Sequence, residues 1–87
     1  MTIGAATLGG RAEFLGFRVG DCGCPEELYL FDGIDLVIHF EPNGDVDAFW
    51  DSGDDCADWT THEGMTRFNG RLAAFAWAAS LMQGPPR

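Results

Sequence analysis

The sequence has no lysine. Its five basic residues are all arginine and face fourteen acids, a formal net charge of −9 at pH 7. So few bases leave no basic patch for direct nucleic-acid binding. The same surface is repelled by anionic membranes and drawn at long range to basic protein surfaces. Long apolar runs are missing too. Nothing approaches the eighteen or more consecutive apolar residues of a spanning helix. The opening MTIGAATLGG has neither the basic start nor the apolar stretch of a secretory leader. Cysteine is scarce and odd in number. Cys22 and Cys24 sit two apart, so only Cys56 with one of them would close a long loop. An odd count without a leader points to free thiols and a cytoplasmic setting. No internal repeat, low-complexity linker or shift of composition marks a second domain.

What is present suits one small folded unit spanning residues 1–87. Seven Phe and three Trp supply enough large apolar surface for a modest core without staples. Residues 1–11 are small and Gly-rich and read as a loose arm or a first short strand. Glu13 to Val19 reads as a strand, with Leu15, Phe17 and Val19 on one face and Phe14, Gly16 and Arg18 on the other. Gly16 marks a weak point or a bulge. Gly20 to Pro25 is a turn-rich loop. Glu26 to Phe31 fits a strand or one short helix. The strand is favoured because Asp32-Gly33, between apolar runs, is a two-residue hairpin signal whose central residues need positive φ.

Ile34 to Glu41 carries the clearest strand pattern. Ile34, Leu36, Ile38 and Phe40 alternate with Asp35, Val37, His39 and Glu41. Pro42-Asn43-Gly44 turns the chain. Asp45 to Asp51 returns, with Val46, Ala48 and Trp50 inward and Asp45, Asp47, Phe49 and Asp51 outward. Ser52 to Trp59 reads as an acidic loop. Thr60 to Gln83 is the one long helical pattern, with Thr60 and Glu63 matching a capping box. Met65, Phe68, Leu72, Phe75, Ala79 and Met82 form its apolar stripe. Gly70 and Ala74 are small enough for close approach to a sheet. Gly84-Pro85-Pro86 stops the helix. Arg67 and Arg71 lie four apart and form a small basic spot. The expected architecture is α+β: a three- to four-stranded antiparallel sheet packed on one C-terminal helix.

The residue patterns argue against most chemistry. C-x-C spacing is shorter than the C-x2–4-C of structural zinc sites, and no second close pair follows it among Cys56, His39 and His62. Neither a metal nor another cofactor is therefore expected. Cys56 near His62 lacks an orienting third group for a nucleophilic pair, so no catalytic residue is assigned. Calcium-loop registers starting at Asp45 or Asp51 fail at the fifth or sixth positions and at the third and sixth, respectively. No glycine-rich strand–helix junction cradles phosphate. His39, between Ile38 and Phe40, reads as a histidine on the sheet surface.

The acids are another matter. Glu41, Asp45, Asp47, Asp51, Asp54, Asp55 and Asp58 put seven carboxylates into eighteen residues, with Phe49, Trp50 and Trp59 set among them. Carboxylates two apart on a strand stand roughly 6.6 Å from one another. Charges fixed on a sheet lose little entropy on binding and suit a basic groove. The candidate partner-binding residues are Glu41, Asp45, Asp47, Phe49, Asp51, Asp54, Asp55, Asp58 and Trp59. Phe49 or Trp59 would supply an apolar anchor.

In size, lack of lysine, acidity and the run EPNGDVDAFWDSGDDCAD at 41–58, the chain resembles small phage-borne anti-CRISPR proteins that act as DNA mimics. That resemblance implies a monomeric inhibitor working in a bacterial host cytoplasm. Asp45, Asp47, Asp51, Asp54, Asp55 and Asp58 would stand in for DNA phosphates in the basic groove of a CRISPR effector subunit. Two other readings share the charge. One is an immunity protein or antitoxin that plugs the basic active site of a nuclease toxin. The other is an assembly module whose acids only solvate it.

Overall fold

A computed structural model describes residues 12–62 and 64–82. Among the described residues five strands run in sequence: β1 (Ala12–Val19), β2 (Pro25–Phe31), β3 (Ile34–Phe40), β4 (Val46–Asp51) and β5 (Cys56–Thr61). They form one antiparallel sheet in the order β1-β2-β3-β4-β5. A helix, α1 (Arg67–Met82), follows. The class is α+β, with five strands where three or four were expected. The reading of residues 1–11, the Glu63 half of the capping box and the Gly84-Pro85-Pro86 stop lie outside the described residues.

Local chemistry sets each connection. Asp32 (φ 50°) and Gly33 (φ 82°) take the positive-φ turn that the Asp-Gly pair predicts, and this fixes β2 against β3 with Tyr29 opposite Leu36. The β3–β4 turn is closed by Glu41 N–H donating to the Asp45 carbonyl at 2.9 Å, while Asp45 N–H donates to Asn43 Oδ1 at 3.0 Å. These two turns put Ile34, Leu36, Ile38, Phe40, Val46, Ala48 and Trp50 on one face. In β1 the pairing slips between Phe14 and Gly16, leaving Leu15 as the extra residue. This bulge corrects the simple alternation expected there. Phe14 and Phe17 fall on the same side, with ring centroids 4.9 Å apart, and Leu15 is turned to the other.

The acidic loop expected over 52–59 is instead a turn followed by β5. Ser52 N–H donates to the Asp55 carbonyl at 2.9 Å, and Asp55 N–H to Ser52 Oγ at 3.1 Å. The chain then pairs back with β4, Trp59 opposite Ala48 and Thr61 opposite Val46. Thr60 is thus a strand residue and does not cap the helix. Thr66 takes that role: its Oγ1 accepts from the Asn69 N–H at 3.2 Å.

The helix packs across β3, β4 and β5. Its buried residues are Gly70, Ala74, Phe75 and Ala78. Only Phe75 of the expected stripe is fully buried, and Phe68 is 54% exposed. Small residues win the central positions because the backbone lies close to the sheet. A Cβ on Gly70 would come within 2.5 Å of Val46 Cγ2. Phe75 fills the space beside them, its ring 4.9 Å from Tyr29 and 5.8 Å from Phe31. Phe31 and Phe75 are both 0% exposed. Each contributes about 1.5–3 kcal/mol of apolar burial.

One buried ion pair fixes the helix to β2. Arg71 donates through Nε to Glu27 Oε1 at 2.7 Å and through Nη2 to Oε2 at 2.6 Å. The Tyr29 hydroxyl donates to the same Oε1 at 2.8 Å. Burial alone would push the Glu27 carboxyl up. The Arg71 and Tyr29 hydrogen bonds outweigh it and hold the carboxyl below the usual range. Arg67 lies over the Phe40 ring, 5.3 Å from its centroid. The basic spot expected at Arg67 and Arg71 is therefore divided: Arg71 is tied to Glu27 within the fold, while Arg67 is exposed beside the Phe40 ring.

Candidate functional site

The sheet face opposite α1 is built from three cross-strand rows. The middle row is apolar: Leu28, Val37 and Phe49 pair in turn, and Asp58 ends it. Beside it run Leu30, Asp35, Asp51 and Cys56. On the other side run Arg18, Glu26, His39, Asp47 and Thr60. Leu15 (51% exposed) and Phe49 (45% exposed) stand over an open depression of about 390 Å³, with Arg18, Asp35 and Asp51 on its walls. Asp35 and Asp51 sit directly opposite one another on β3 and β4. Like charges in that position repel. Arg18, the one arginine on this face among the described residues, donates to Glu26 Oε1 at 2.8 Å.

Four of the nine sequence candidates come together here. Asp47, Phe49 and Asp51 alternate outward along β4, and Asp58 faces Phe49 from β5. Asp47 also accepts from Thr60 Oγ1 at 2.8 Å. Asp54 and Asp55 stand exposed in the β4–β5 turn. Asp45 sits in the β3–β4 turn, 3.3 Å from His62 Nδ1. Trp59 is on the other side of the sheet, stacked on Trp77 with centroids 6.1 Å apart, so it is no anchor for the open face. Alternation on β5 turns Trp59 and Asp58 to opposite sides. Asp35, Leu28 and Val37 belong to the face and were not singled out from sequence. The alternation of β3 and the two hairpin turns held that signal.

A second cluster closes one end of the sheet, where β1 passes into β2. His39 is 7% exposed and not the surface histidine expected. Its Nδ1 is 2.9 Å from Glu26 Oε2, and its Nε2 is 2.7 Å from Glu41 Oε1 and 3.4 Å from Cys22 Sγ. Glu41, a partner-binding candidate, is thus turned toward His39. Burial opposes the imidazolium, but hydrogen bonds to Glu26 and Glu41 raise the His39 pKa above its ordinary value. The hydrogen bond between Cys22 and Cys24 separates the two thiols. It pulls Cys22 down and, with burial, pushes Cys24 up to about 11.

No family model matches this chain, and no curated protein or solved structure matches it either.

Proposed function

We propose that the open face binds a basic, nucleic-acid-binding protein surface and blocks it, as a DNA-mimic inhibitor does. The face-to-face pair Asp35 and Asp51 beside exposed Phe49 carries this reading. Two carboxylates held opposite each other cost the free protein repulsion, and a cationic partner relieves it. Asp47 and Asp51, four positions apart on β4, place charges about 13 Å apart along the strand. Asp58 adds a third on β5. The apolar row between them excludes water at the centre of a contact, where Phe49 fills the role of an aromatic anchor. No reacting group is assigned to this face, and the proposed action is occupancy.

The resemblance to anti-CRISPR DNA mimics names the partner class: the DNA-recognition subunit of a CRISPR surveillance complex. The test is a gel-shift competition. The protein is titrated into a type I surveillance complex with its cognate duplex at two salt concentrations. Loss of the DNA shift, weakened by salt and by Asp47→Asn with Asp51→Asn, supports the reading. An unchanged shift across such complexes contradicts the CRISPR partner. Inhibition of a nuclease toxin in a parallel cleavage assay would then assign the same face to immunity.

A further inference from the structure

We propose that Cys22, Cys24, His39 and Glu41 form a binding site for a zinc-type divalent transition-metal ion. Their ligand atoms (two sulfurs, one imidazole nitrogen and one carboxylate oxygen) all lie within 4.8 Å of one another. A tetrahedral ion with bonds of about 2.0–2.3 Å needs donors roughly 3.3–3.8 Å apart. Cys22 Sγ and His39 Nε2 already stand at 3.4 Å. The Nε2 to Glu41 Oε1 distance of 2.7 Å is that of a hydrogen bond and must open slightly to admit an ion. Cys22 is exposed on its loop, so its sulfur can make the remaining adjustment.

Features behind these ligands independently point to a metal. Glu26, itself buried, accepts from His39 at Nδ1 and is held in turn by Arg18. That fixes the tautomer and aims the other ring nitrogen at the sulfurs, as carboxylate–histidine pairs do behind metal ligands. The loop backbone closes over this pair. A Cβ on Gly20 would lie 2.8 Å from Glu26 Oε2 and 3.3 Å from His39 Cε1. Gly20 N–H donates to the Cys24 carbonyl and Gly23 N–H to the Gly20 carbonyl, both at 2.9 Å, which sets the C-x-C turn.

C-x-C spacing alone argued against zinc because a second close pair was missing along the chain. Hairpin pairing supplies the other two ligands from β3 and its end. Thiolate and imidazole select zinc-like ions over magnesium or calcium. Cys22, His39 and Glu26 also resemble a nucleophile, base and orienting acid. Glu41 occupies the nitrogen a base would use, and a second sulfur converges there, so ligation fits better. Binding forms two metal–sulfur bonds, one metal–nitrogen bond and one metal–oxygen bond. It releases both thiol protons and any proton held between Nε2 and Glu41.

The test is titration of the reduced full chain with Co²⁺, followed by displacement with Zn²⁺. The expected result is one Co²⁺ per chain, with thiolate-to-cobalt charge-transfer absorption and the visible bands of a tetrahedral ion. Zinc should displace it and raise the melting temperature. Cys22→Ser and Glu41→Gln should each weaken binding at least tenfold, while Cys56→Ser leaves it unchanged. Cys22 is exposed, so its variant retains the fold even if a Cys24 variant does not; circular dichroism checks this. Absence of the thiolate band in the wild type overturns the proposal. So does a band that survives Cys22→Ser with Cys24→Ser. Neither readout involves a partner protein, so this result stands or falls apart from the proposed inhibition.

Discussion

Arg71→Ala should cost this protein a large part of its stability. The side chain of Glu27 is 6% exposed and that of Arg71 15% exposed, and their two hydrogen bonds are 2.7 and 2.6 Å long. Truncating Arg71 leaves a buried carboxylate with only the Tyr29 hydroxyl. Removing one member of a buried pair costs about 3–5 kcal/mol. The whole domain has roughly 4–13 kcal/mol to lose, at about 0.05–0.15 kcal/mol per residue. At about 4–8 °C per kcal/mol, the melting temperature should fall by at least about 12 °C. Urea unfolding followed by tryptophan fluorescence and circular dichroism measures the loss. Replacing both partners, Glu27→Leu with Arg71→Leu, should recover most of it, because the cost lies in the orphaned charge.

The pH dependence has a defined sign. The folded Glu27 carboxyl lies below its unfolded value of 4.5. Its contribution is present above that pH and is lost as pH falls through the folded value. In Arg71→Ala, burial without the guanidinium raises the same carboxyl. The deficit of the variant should be largest at neutral pH and shrink as pH falls from the variant's raised value, above 4.5, towards the lowered wild-type one. A deficit under about 1 kcal/mol at pH 7, or one independent of pH, would refute the reasoning.

Three further outcomes follow from the geometry. Asp35→Asn or Asp51→Asn removes cross-strand repulsion, so the urea midpoint should rise while affinity for the basic partner falls; unfolding and titration on the same sample read both. Phe49→Ala should weaken partner binding about tenfold, roughly 1.4 kcal/mol, with little loss of stability, since the ring is 45% exposed; calorimetry separates the two effects. Gly70→Val drives new atoms into Val46 and should destabilise by about 1–3 kcal/mol in the same urea assay.

Strand content was legible wherever alternation and turn chemistry agreed. Ile34 to Phe40 and Asp32-Gly33 are the clearest cases, and the outward order Asp47, Phe49, Asp51 came with them. β5 was hidden because its inward residues, Ala57, Trp59 and Thr61, are few and sit in an acidic stretch. Thr60 then imitated a helix cap. The helix stripe was misplaced because α1 carries apolar residues on several sides. Close packing at Gly70 against Val46, which needs both elements, decides which side is buried. The His39 cluster was out of reach for a related reason. It joins a loop at 20–24 with strand residues 26 and 39 and with Glu41 just past β3, and only the hairpin register brings them together. Arg71 offered no local sign of a partner forty-four positions away.

The most direct test of the inhibitor reading is the salt dependence of binding to a surveillance complex, measured for the wild type and for Asp35→Asn/Asp47→Asn/Asp51→Asn. Fluorescence anisotropy of the labelled proteins at about 50 and 200 mM salt gives four affinities, with a screening length near 8 Å at physiological strength. The account predicts tight wild-type binding that weakens steeply with salt. It predicts a variant that binds at least tenfold more weakly at low salt, with a shallower slope, and keeps the wild-type circular dichroism spectrum. Equal affinities and equal slopes for the two proteins would contradict it.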